Sequence, residues 1–438
     1  MNTAATAMNS RWLPGNRIEL LCCGEDYYPS VFQAIDTAEK QVLLETFIWF
    51  DDPVGRELRA ALIRAAQRGA EVHVLIDGWG SPDLGDEFVQ GLIDAGVKLR
   101  AFEPVRKLFG ARINMLGRMH NKLAVIDGRV AYVGGINYAK DHVLALDPEQ
   151  AKLDYAVRIE GPLVEQIEAF CRTNISTPQP PREMWLRRWR RLRQLRREER
   201  MPSLDQGAVA AFVTRDNHRH TTDIERHYRA AIRSAQTRIV IANAYFFPGY
   251  RLVRDLRRAA RRGVQVDLIL QGNPDMPWVQ RATMLLYEHL LRAGVRIHEY
   301  NERPLHAKVA VIDDHWATVG SSNLDPTSLS LNLEANVIVR DNAFAAVLRQ
   351  ALDGVLEKSC DAVQVSRPGR LRSAWIVLRS MVVFHALRRF PAWARWAHHA
   401  KPRVVPVVPE SGEAETMSRE AVPHEPVPHE PAHAEGLR

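Results

Sequence analysis

The sequence predicts an α/β fold built as two homologous halves that share one active site. Three observations carry this. Short apolar strand candidates alternate with amphipathic helical stretches through both halves of the chain. A helix that ends at glycine and feeds directly into a strand occurs twice, as Ala-Ala-Gln-Arg-Gly-Ala-Glu-Val at 65–72 and Ala-Ala-Arg-Arg-Gly-Val-Gln-Val at 259–266. A set of reactive residues also recurs: His120, Lys122, Asp127, Gly134, Gly135 and Asn137, then His306, Lys308, Asp313, Gly320, Ser321 and Asn323. In both copies the histidine and asparagine are 17 residues apart, and the copies lie 186 apart in a chain of 438. Buried Lys and Asp are costly unless paired, so their repetition in register within apolar runs argues against half-buried hairpins with incidental polar residues.

Each element follows from its local pattern. Residues 42–50 read as a strand, 54–68 as an amphipathic helix closed by Gly69, 71–76 as the next strand and 83–95 as the next helix. Residues 122–126 and 131–136 form a hairpin candidate around Asp127-Gly128, a dipeptide suited to left-handed turn positions. A strand at 154–159 completes the sheet, and a helix at 163–171 covers one face. The order returns at 238–247, a basic helix at 250–262, and 264–270, and continues through 279–293, 296–300, 308–312, 317–320 and 334–339. This is a domain-scale duplication: residues 1–180 and 205–362 are the two domains.

The remaining segments differ in composition. Residues 181–204 form a basic linker; its stretch 182–200 holds nine Arg and three Glu, interrupted at helical spacing by Trp185, Leu186, Trp189, Leu192 and Leu195. It suits either a membrane-interface helix or a surface helix packed across the domains. Residues 363–400 repeat the pattern: within 371–397, Trp375, Ile376, Leu378, Met381, Val382, Phe384 and Leu387 mix with Arg372, Arg379, Arg388 and Arg389, and Pro391 should interrupt the helix. Residues 401–438 are rich in Pro, Glu and His, with Pro-His-Glu-Pro beginning at Pro423 and Pro428, and are expected to be a disordered tail.

A body that is 46% apolar and 25% charged reads as soluble and globular. The net charge of +7 favours anionic partners, phospholipid headgroups or nucleic acid, without choosing between them. Cys22, Cys23, Cys171 and Cys360 have no zinc spacing and imply a reducing compartment. No signal-peptide architecture or charge-free apolar run of membrane-spanning length is expected.

On an extended strand His120 and Lys122 share a face, as do His306 and Lys308. Two imidazoles can then face one phosphorus from opposite sides. The lysines oppose the charge on its non-bridging oxygens, and Asn137 and Asn323 add neutral donors and acceptors. Small residues at Gly134, Gly135, Gly320, Ser321 and Ser322 permit close backbone approach around the anion. A divalent metal is disfavoured because fixed lysine charges oppose cation binding, so no metal is expected. Asp127 and Asp313 sit at strand-to-turn positions, suited to stabilising the hairpin or pairing with nearby positive charge rather than to reacting.

At these residues the chain resembles the phospholipase D superfamily. His-x-Lys-x4-Asp is complete at His120, Lys122 and Asp127 and again at His306, Lys308 and Asp313. Gly-Gly-x-Asn is complete at Gly134 to Asn137, and the second copy has the related Gly-Ser-Ser-Asn at Gly320 to Asn323. The resemblance covers residues 15–360. Within the superfamily the chain is most similar to bacterial cardiolipin synthases of the shorter type, which lack an N-terminal pair of membrane spans. Glu-Thr-Phe-Ile-Trp-Phe at 45–50, Met-His-Asn-Lys at 119–122, Val-Gly-Gly-Ile-Asn-Tyr at 133–138, Ser-Ser-Asn-Leu-Asp at 321–325 and Leu-Asn-Leu-Glu-Ala-Asn at 331–336 carry this. Asn121 stands where related synthases often have Arg, which implies a different phosphate or headgroup preference.

The resemblance implies two phospholipase D-like α/β/α sandwich domains with one active site at their interface, and a phosphohistidine mechanism. In it His120, Lys122, Asp127, His306, Lys308 and Asp313 form the catalytic pattern. His120 is the nucleophile and His306 the acid and then base, an order the near-symmetric sequence alone leaves open. An imidazole suits both tasks because it titrates near neutrality. Asn137 and Asn323 support the transition state, Glu334 and Asp154 orient the histidines, and Glu45 shapes the alcohol site or makes an ordinary strand-end hydrogen bond. No cofactor is required. The implied partners are phosphatidylglycerol and anionic membrane lipids, with phosphatidylethanolamine as an alternative donor and no obligate nucleic acid. A lipid hydrolase, a phosphodiester nuclease and a non-catalytic anion-binding protein are the competing readings. The expected location is peripheral, on the cytoplasmic face of a bacterial inner membrane.

Overall fold

The computed structural model describes residues 11–81, 84–104, 107–108, 111–112, 117–175, 207–217, 220–272, 286–363 and 403–409. The segments 182–200 and 371–397, read as membrane-interface or packed surface helices, lie outside the described residues, as do residues 279–285 and 410–438.

Two halves with the same strand order join into one 16-stranded sheet. Outward from the junction, the first half runs Leu13–Cys22, Tyr155–Glu160, Val130–Gly134, Leu123–Ile126, Gln41–Thr46, Glu71–Asp77 and Lys98–Phe102. The second runs Ala208–Arg215, Glu334–Arg340, Trp316–Gly320, Lys308–Ile312, Arg238–Asn243, Gln265–Gln271 and Arg296–Tyr300. The innermost strands pair antiparallel, Leu13 opposite Ala210 and Asn16 opposite Ala208. In each half the outer three strands are parallel and the rest antiparallel. Parallel pairs need crossovers, and helices such as Pro53–Gln67 and Tyr250–Arg261 supply them.

The predicted elements appear close to their expected bounds, and local chemistry accounts for their ends. Asp52 caps Pro53–Gln67 by accepting from the Gly55 amide at 2.9 Å, with Pro53 in the first turn, where its missing N–H costs nothing. Gly69 and Gly263 take equivalent left-handed conformations (φ 96° and 93°) at the repeated helix-to-strand join. The strand expected at 42–50 stops at Thr46. Beyond it the Ile48 amide donates to Asn137 Oδ1, the Trp49 amide to Ser81 Oγ and the Phe50 amide to Tyr138 O, which draws the chain out of the ladder.

Three apolar cores result. Outer cores lie under Cys23–Asp36, Pro53–Gln67 and Asp86–Asp94 in the first half and under Asp223–Ser234, Tyr250–Arg261 and residues 286–291 in the second. A central core draws on both halves of the sheet and on Leu163–Ile175 and Asn342–Ser359, so the halves share one interior. The four cysteines are free.

One boundary needs correction. The tail expected to be disordered from residue 401 contains a strand, Val404–Pro406, which adds antiparallel to Lys98–Phe102 at the sheet edge. The Glu103 amide donates to Arg403 O at 2.7 Å and the Val407 amide to Leu99 O at 3.1 Å, while Val404, Val405 and Val407 pack on the cores. The β-branched run outweighs the surrounding prolines because Pro406 sits on an edge, where a missing N–H breaks no ladder.

Candidate active site

His120 and His306 lie just before the strands Leu123–Ile126 and Lys308–Ile312. Each is pinned by the opposite half. The His120 amide donates to Leu333 O at 2.9 Å and the Leu333 amide to Arg118 O at 2.8 Å. Likewise the His306 amide donates to Leu153 O and the Leu153 amide to Pro304 O, both at 2.9 Å. These two short parallel bridges set the residue after each leucine, Glu334 or Asp154, beside the other half's histidine. His120 Nδ1 lies 3.1 Å from Glu334 Oε2 and 3.2 Å from Ser321 O. His306 Nδ1 lies 2.6 Å from Asp154 Oδ2. A backbone carbonyl can only accept, so His120 carries its proton on Nδ1 and keeps the Nε2 lone pair for chemistry. The carboxylate at His306 selects the same tautomer.

The lysines are buried between these pairs. Lys122 Nζ donates to His120 O at 2.9 Å and lies 5.1 Å from the centre of the Phe47 ring, which itself packs 4.9 Å from the His120 ring. Lys308 Nζ donates to His306 O and stands 3.9 Å from Asp154 Oδ2. Burial pushes Lys122 well below the usual ammonium range and Lys308 down to about 8, with Asp154 and Glu334 opposing the shift at Lys308. Burial also lowers both histidines. Glu334 opposes this at His120, whereas Lys308, Lys152 and Lys122 deepen it at His306. Burial raises Asp154 against the pull of Lys308 and His142. Burial thus outweighs the nearby carboxylates at these lysines and histidines, and an anion between the two lysines would favour their ammonium forms and a protonated imidazole.

The two motif aspartates are not in this cluster. Asp127 takes a left-handed backbone (φ 53°) and accepts from the amides of Glu39, Lys40 and Gln41 at 2.8–3.0 Å. Asp313 (φ 50°) does the same for Gln236, Thr237 and Arg238. At about 3.3 Å per strand residue, each lies roughly 20 Å from its histidine. They lock the hairpin to the start of the neighbouring strand, the structural alternative the sequence offered.

Asn137 is buried, with Oδ1 accepting from the Ile48 amide at 3.3 Å. Asn323 is buried too, and among the described residues its Oδ1 has no hydrogen-bond partner. Glu45 is fully buried and faces Asn121 Nδ2 at 3.0 Å and Asn174 Nδ2 at 3.0 Å. Burial raises its carboxyl to about 7, although both amides oppose this. Its carboxylate is thus committed beside Leu163–Ile175, and the ordinary hydrogen-bonding reading fits better than an alcohol site. Asn121 alternates away from His120 and Lys122, so its side chain serves Glu45 rather than a headgroup.

The glycines also differ from expectation. A Cβ at Gly135 would fall 2.4 Å from Asp154 Oδ2, so Gly135 makes room for the orienting carboxylate. The second half has Ser321 there, and its hydroxyl donates to Glu334 Oε2 at 2.6 Å. Further residues emerge only from the fold: Phe47, His142, Lys152, and the buried Asp77–Arg118 pair. Asp77 accepts from Arg118 Nη2 at 2.8 Å and from the Met119 amide at 2.9 Å, holding the approach to His120. In the second half Gln271 accepts from the Leu305 amide at the corresponding place.

A family model described as cardiolipin synthase, PLD-like domain, matches residues 31–171 and 228–356. The chain is 51% identical over 402 residues to cardiolipin synthase B of Shigella flexneri, covering 92% of this chain and 95% of the relative. It is 50% identical over the same length to cardiolipin synthase B of Escherichia coli K12. It is 32% identical to cardiolipin synthase A of Pseudomonas syringae over 341 residues, 78% of this chain and 68% of that one. The crystal structure of phosphatidylserine synthase from Haemophilus influenzae shares the fold, with a TM-score of 0.62 at 14% identity over 88% of this chain and 97% of that one. The family model matches once in each half, each time across the strand that follows the reactive histidine: the chain belongs to the cardiolipin synthase family of phospholipase D-like proteins.

Proposed function

We propose that this protein is a cardiolipin synthase that works through a phosphohistidine. The observation that carries the reading is the crosswise pairing of His120 with Glu334 and His306 with Asp154 around two buried lysines. His120 Nε2 attacks the phosphorus of phosphatidylglycerol. The bond from phosphorus to the glycerol oxygen breaks as His306 donates a proton to that oxygen, and glycerol leaves. A primary hydroxyl of a second phosphatidylglycerol then attacks the phosphorus, His306 takes its proton, and the nitrogen–phosphorus bond breaks to give cardiolipin. Glu334 offsets the positive charge that the His120 ring gains on phosphorylation. Lys122, Lys308, Asn137 and Asn323 stabilise the phosphoryl oxygens. Phosphatidylethanolamine is an alternative phosphatidyl donor, and no cofactor enters these steps.

The attachment proposed is peripheral, on the cytoplasmic face of a bacterial inner membrane. Its support is the Arg, Trp and Leu content of residues 182–200 and 371–397. Among the described residues no helix is long and apolar enough to cross a membrane. Purified protein incubated with phosphatidylglycerol vesicles should yield cardiolipin and free glycerol. Phosphatidic acid alone would make it a hydrolase, and nucleic-acid cleavage without lipid turnover would reject the reading.

A further inference from the structure

The two sides of the active site are not equivalent. The segment from the motif asparagine to the orienting acid spans 17 residues in the first half, Asn137 to Asp154, but 11 in the second, Asn323 to Glu334. The longer loop carries a third histidine. His142 ends the short turn Lys140–His142, is fully buried, and packs edge-on against His306 with ring centres 5.6 Å apart. At the same distance from its asparagine the second half has Ser328. Around His120 the corresponding neighbour is the apolar ring of Phe47.

The hydrogen bonds of His142 fix its chemistry. Its Nε2 lies 3.4 Å from the Asn137 amide nitrogen, a donor, and 3.8 Å from Asp141 Oδ1; the amide is the nearer and has Nε2 as its acceptor, which places the hydrogen of the neutral ring on Nδ1. Burial, with Lys152 and His306 adding to it, holds the ring well below the usual imidazole range and hence neutral. Among the described residues its buried Nδ1 has no hydrogen-bond partner. A buried donor without an acceptor is costly, which points to an oxygen brought by the substrate. In an in-line displacement with His120 attacking, the alcohol leaves and enters on the His306 side, where His142 stands.

We propose that His142 is a specificity residue of the alcohol subsite, donating Nδ1–H to the hydroxyl that neighbours the reacting oxygen of a glycerol headgroup while His306 serves the reacting oxygen itself. The spacing of the two rings suits adjacent oxygens of a diol, each about 2.8 Å from its own nitrogen. The assignment rests on the transferase reading above. It predicts that glycerol-bearing alcohols are preferred over alcohols with a single hydroxyl.

The test uses the purified full chain with acyl-labelled phosphatidylglycerol vesicles in equal concentrations of deuterated glycerol and propan-1-ol. Mass spectrometry gives the ratio of deuterated phosphatidylglycerol to phosphatidylpropanol, and a ratio within one preparation cancels any loss of folded protein. His142→Gln keeps an acceptor for the Asn137 amide but lacks the near donor, and should lower the glycerol preference about tenfold. His142→Asn keeps a donor near the Nδ1 position and should hold the preference within about twofold. The reverse order would show a merely structural prop for Asn137, and a preference unmoved by either variant would equally overturn the assignment. Wild-type protein that gives only phosphatidic acid refutes the transferase reading and the alcohol subsite with it. Transfer with an unchanged ratio refutes His142 alone.

Discussion

Removing the charge from each orienting acid should separate the two histidines by role. At 3.1 Å for His120–Glu334 and 2.6 Å for His306–Asp154, Coulomb's law with an effective dielectric near 20 gives about 5 and 6 kcal/mol to a protonated ring. Glu334→Gln and Asp154→Asn retain an acceptor oxygen, so the loss should be nearer 3–5 kcal/mol, the usual cost of breaking a buried pair. That corresponds to a fall in kcat on the order of 10²- to 10⁴-fold on phosphatidylglycerol for both variants. Their behaviour should diverge on phosphatidyl-p-nitrophenol, whose leaving group needs no proton. With His306 as the acid, Asp154→Asn should release a burst of p-nitrophenol, stoichiometric with enzyme and slowed about tenfold or less, followed by slow turnover because the acceptor alcohol still needs a base. Glu334→Gln weakens the nucleophile and should lose the burst as fully as it loses phosphatidylglycerol turnover. Stopped-flow absorbance at low enzyme and high substrate reads both phases. The opposite pattern would exchange the roles of His120 and His306, and equal losses on both substrates would refute the division of labour.

Further expectations follow from the same geometry. Burial and the lysines lower both histidines in the free protein, and a bound phosphodiester anion raises them, so the pH optimum of kcat should lie above that of kcat/KM; coincident or reversed optima would contradict this effect of the anion. The backbone amides of Glu39, Gln41 and Lys40 outweigh the opposing effect of burial and hold the Asp127 carboxyl below its usual range. Its stabilisation is therefore full above the ordinary carboxylate pKa and lost as pH falls through the depressed one. Asp127→Ala should cost about 1–3 kcal/mol in urea unfolding at pH 7, less in acid, with turnover per folded molecule retained. Arg118→Met strands the buried Asp77 carboxylate and should cost about 3–5 kcal/mol, seen as a lower urea midpoint. If residues 182–200 and 371–397 hold the protein at a membrane surface, high salt should release part or all of it on sedimentation, since each basic contact contributes about 1 kcal/mol that salt screens. Release only by detergent, with domains protected on both sides, would mean an integral topology.

The clustering of the candidate site residues was legible because the chain states them twice. His120, Lys122, His306 and Lys308 needed only period-two alternation and the duplication to be placed together. What repetition could not reveal was the exchange of partners. Glu334 and Asp154 each follow a leucine whose backbone crosses to the other half, and two isolated bridges leave no periodic signature. Asp127 and Asp313 belong to the repeated motif for a different reason: repetition marks a residue as required, and locking the hairpin, as their turn positions indicated, is required as surely as chemistry. His142 was invisible because it has no counterpart, and Glu45 was ambiguous because only the helix carrying Asn174 shows which face it occupies. The edge strand at Val404–Pro406 was hidden by its proline-rich surroundings.

The crossed bridges also explain why two domains make one site. A separate half would carry a histidine and a lysine but not the carboxylate that selects that histidine's tautomer, and its buried ammonium group would lose one of its opposing charges. Docking supplies both at once, because the hydrogen bonds that register Leu333 with Arg118 and Leu153 with Pro304 also deliver Glu334 and Asp154. A perfectly twofold site would let either histidine attack. Here the first half's longer loop places His142 and Lys152 near His306, while Phe47 packs against His120. The added positive charge lowers His306 further, and in the proposed mechanism a substrate phosphate would reverse this by pairing with the lysines. In the proposed mechanism His306 would thus become an acid when a substrate is present, whereas His120, held by Glu334 and a backbone carbonyl, would keep its lone pair for phosphorus. Direction in a duplicated site comes from the residues that were not duplicated.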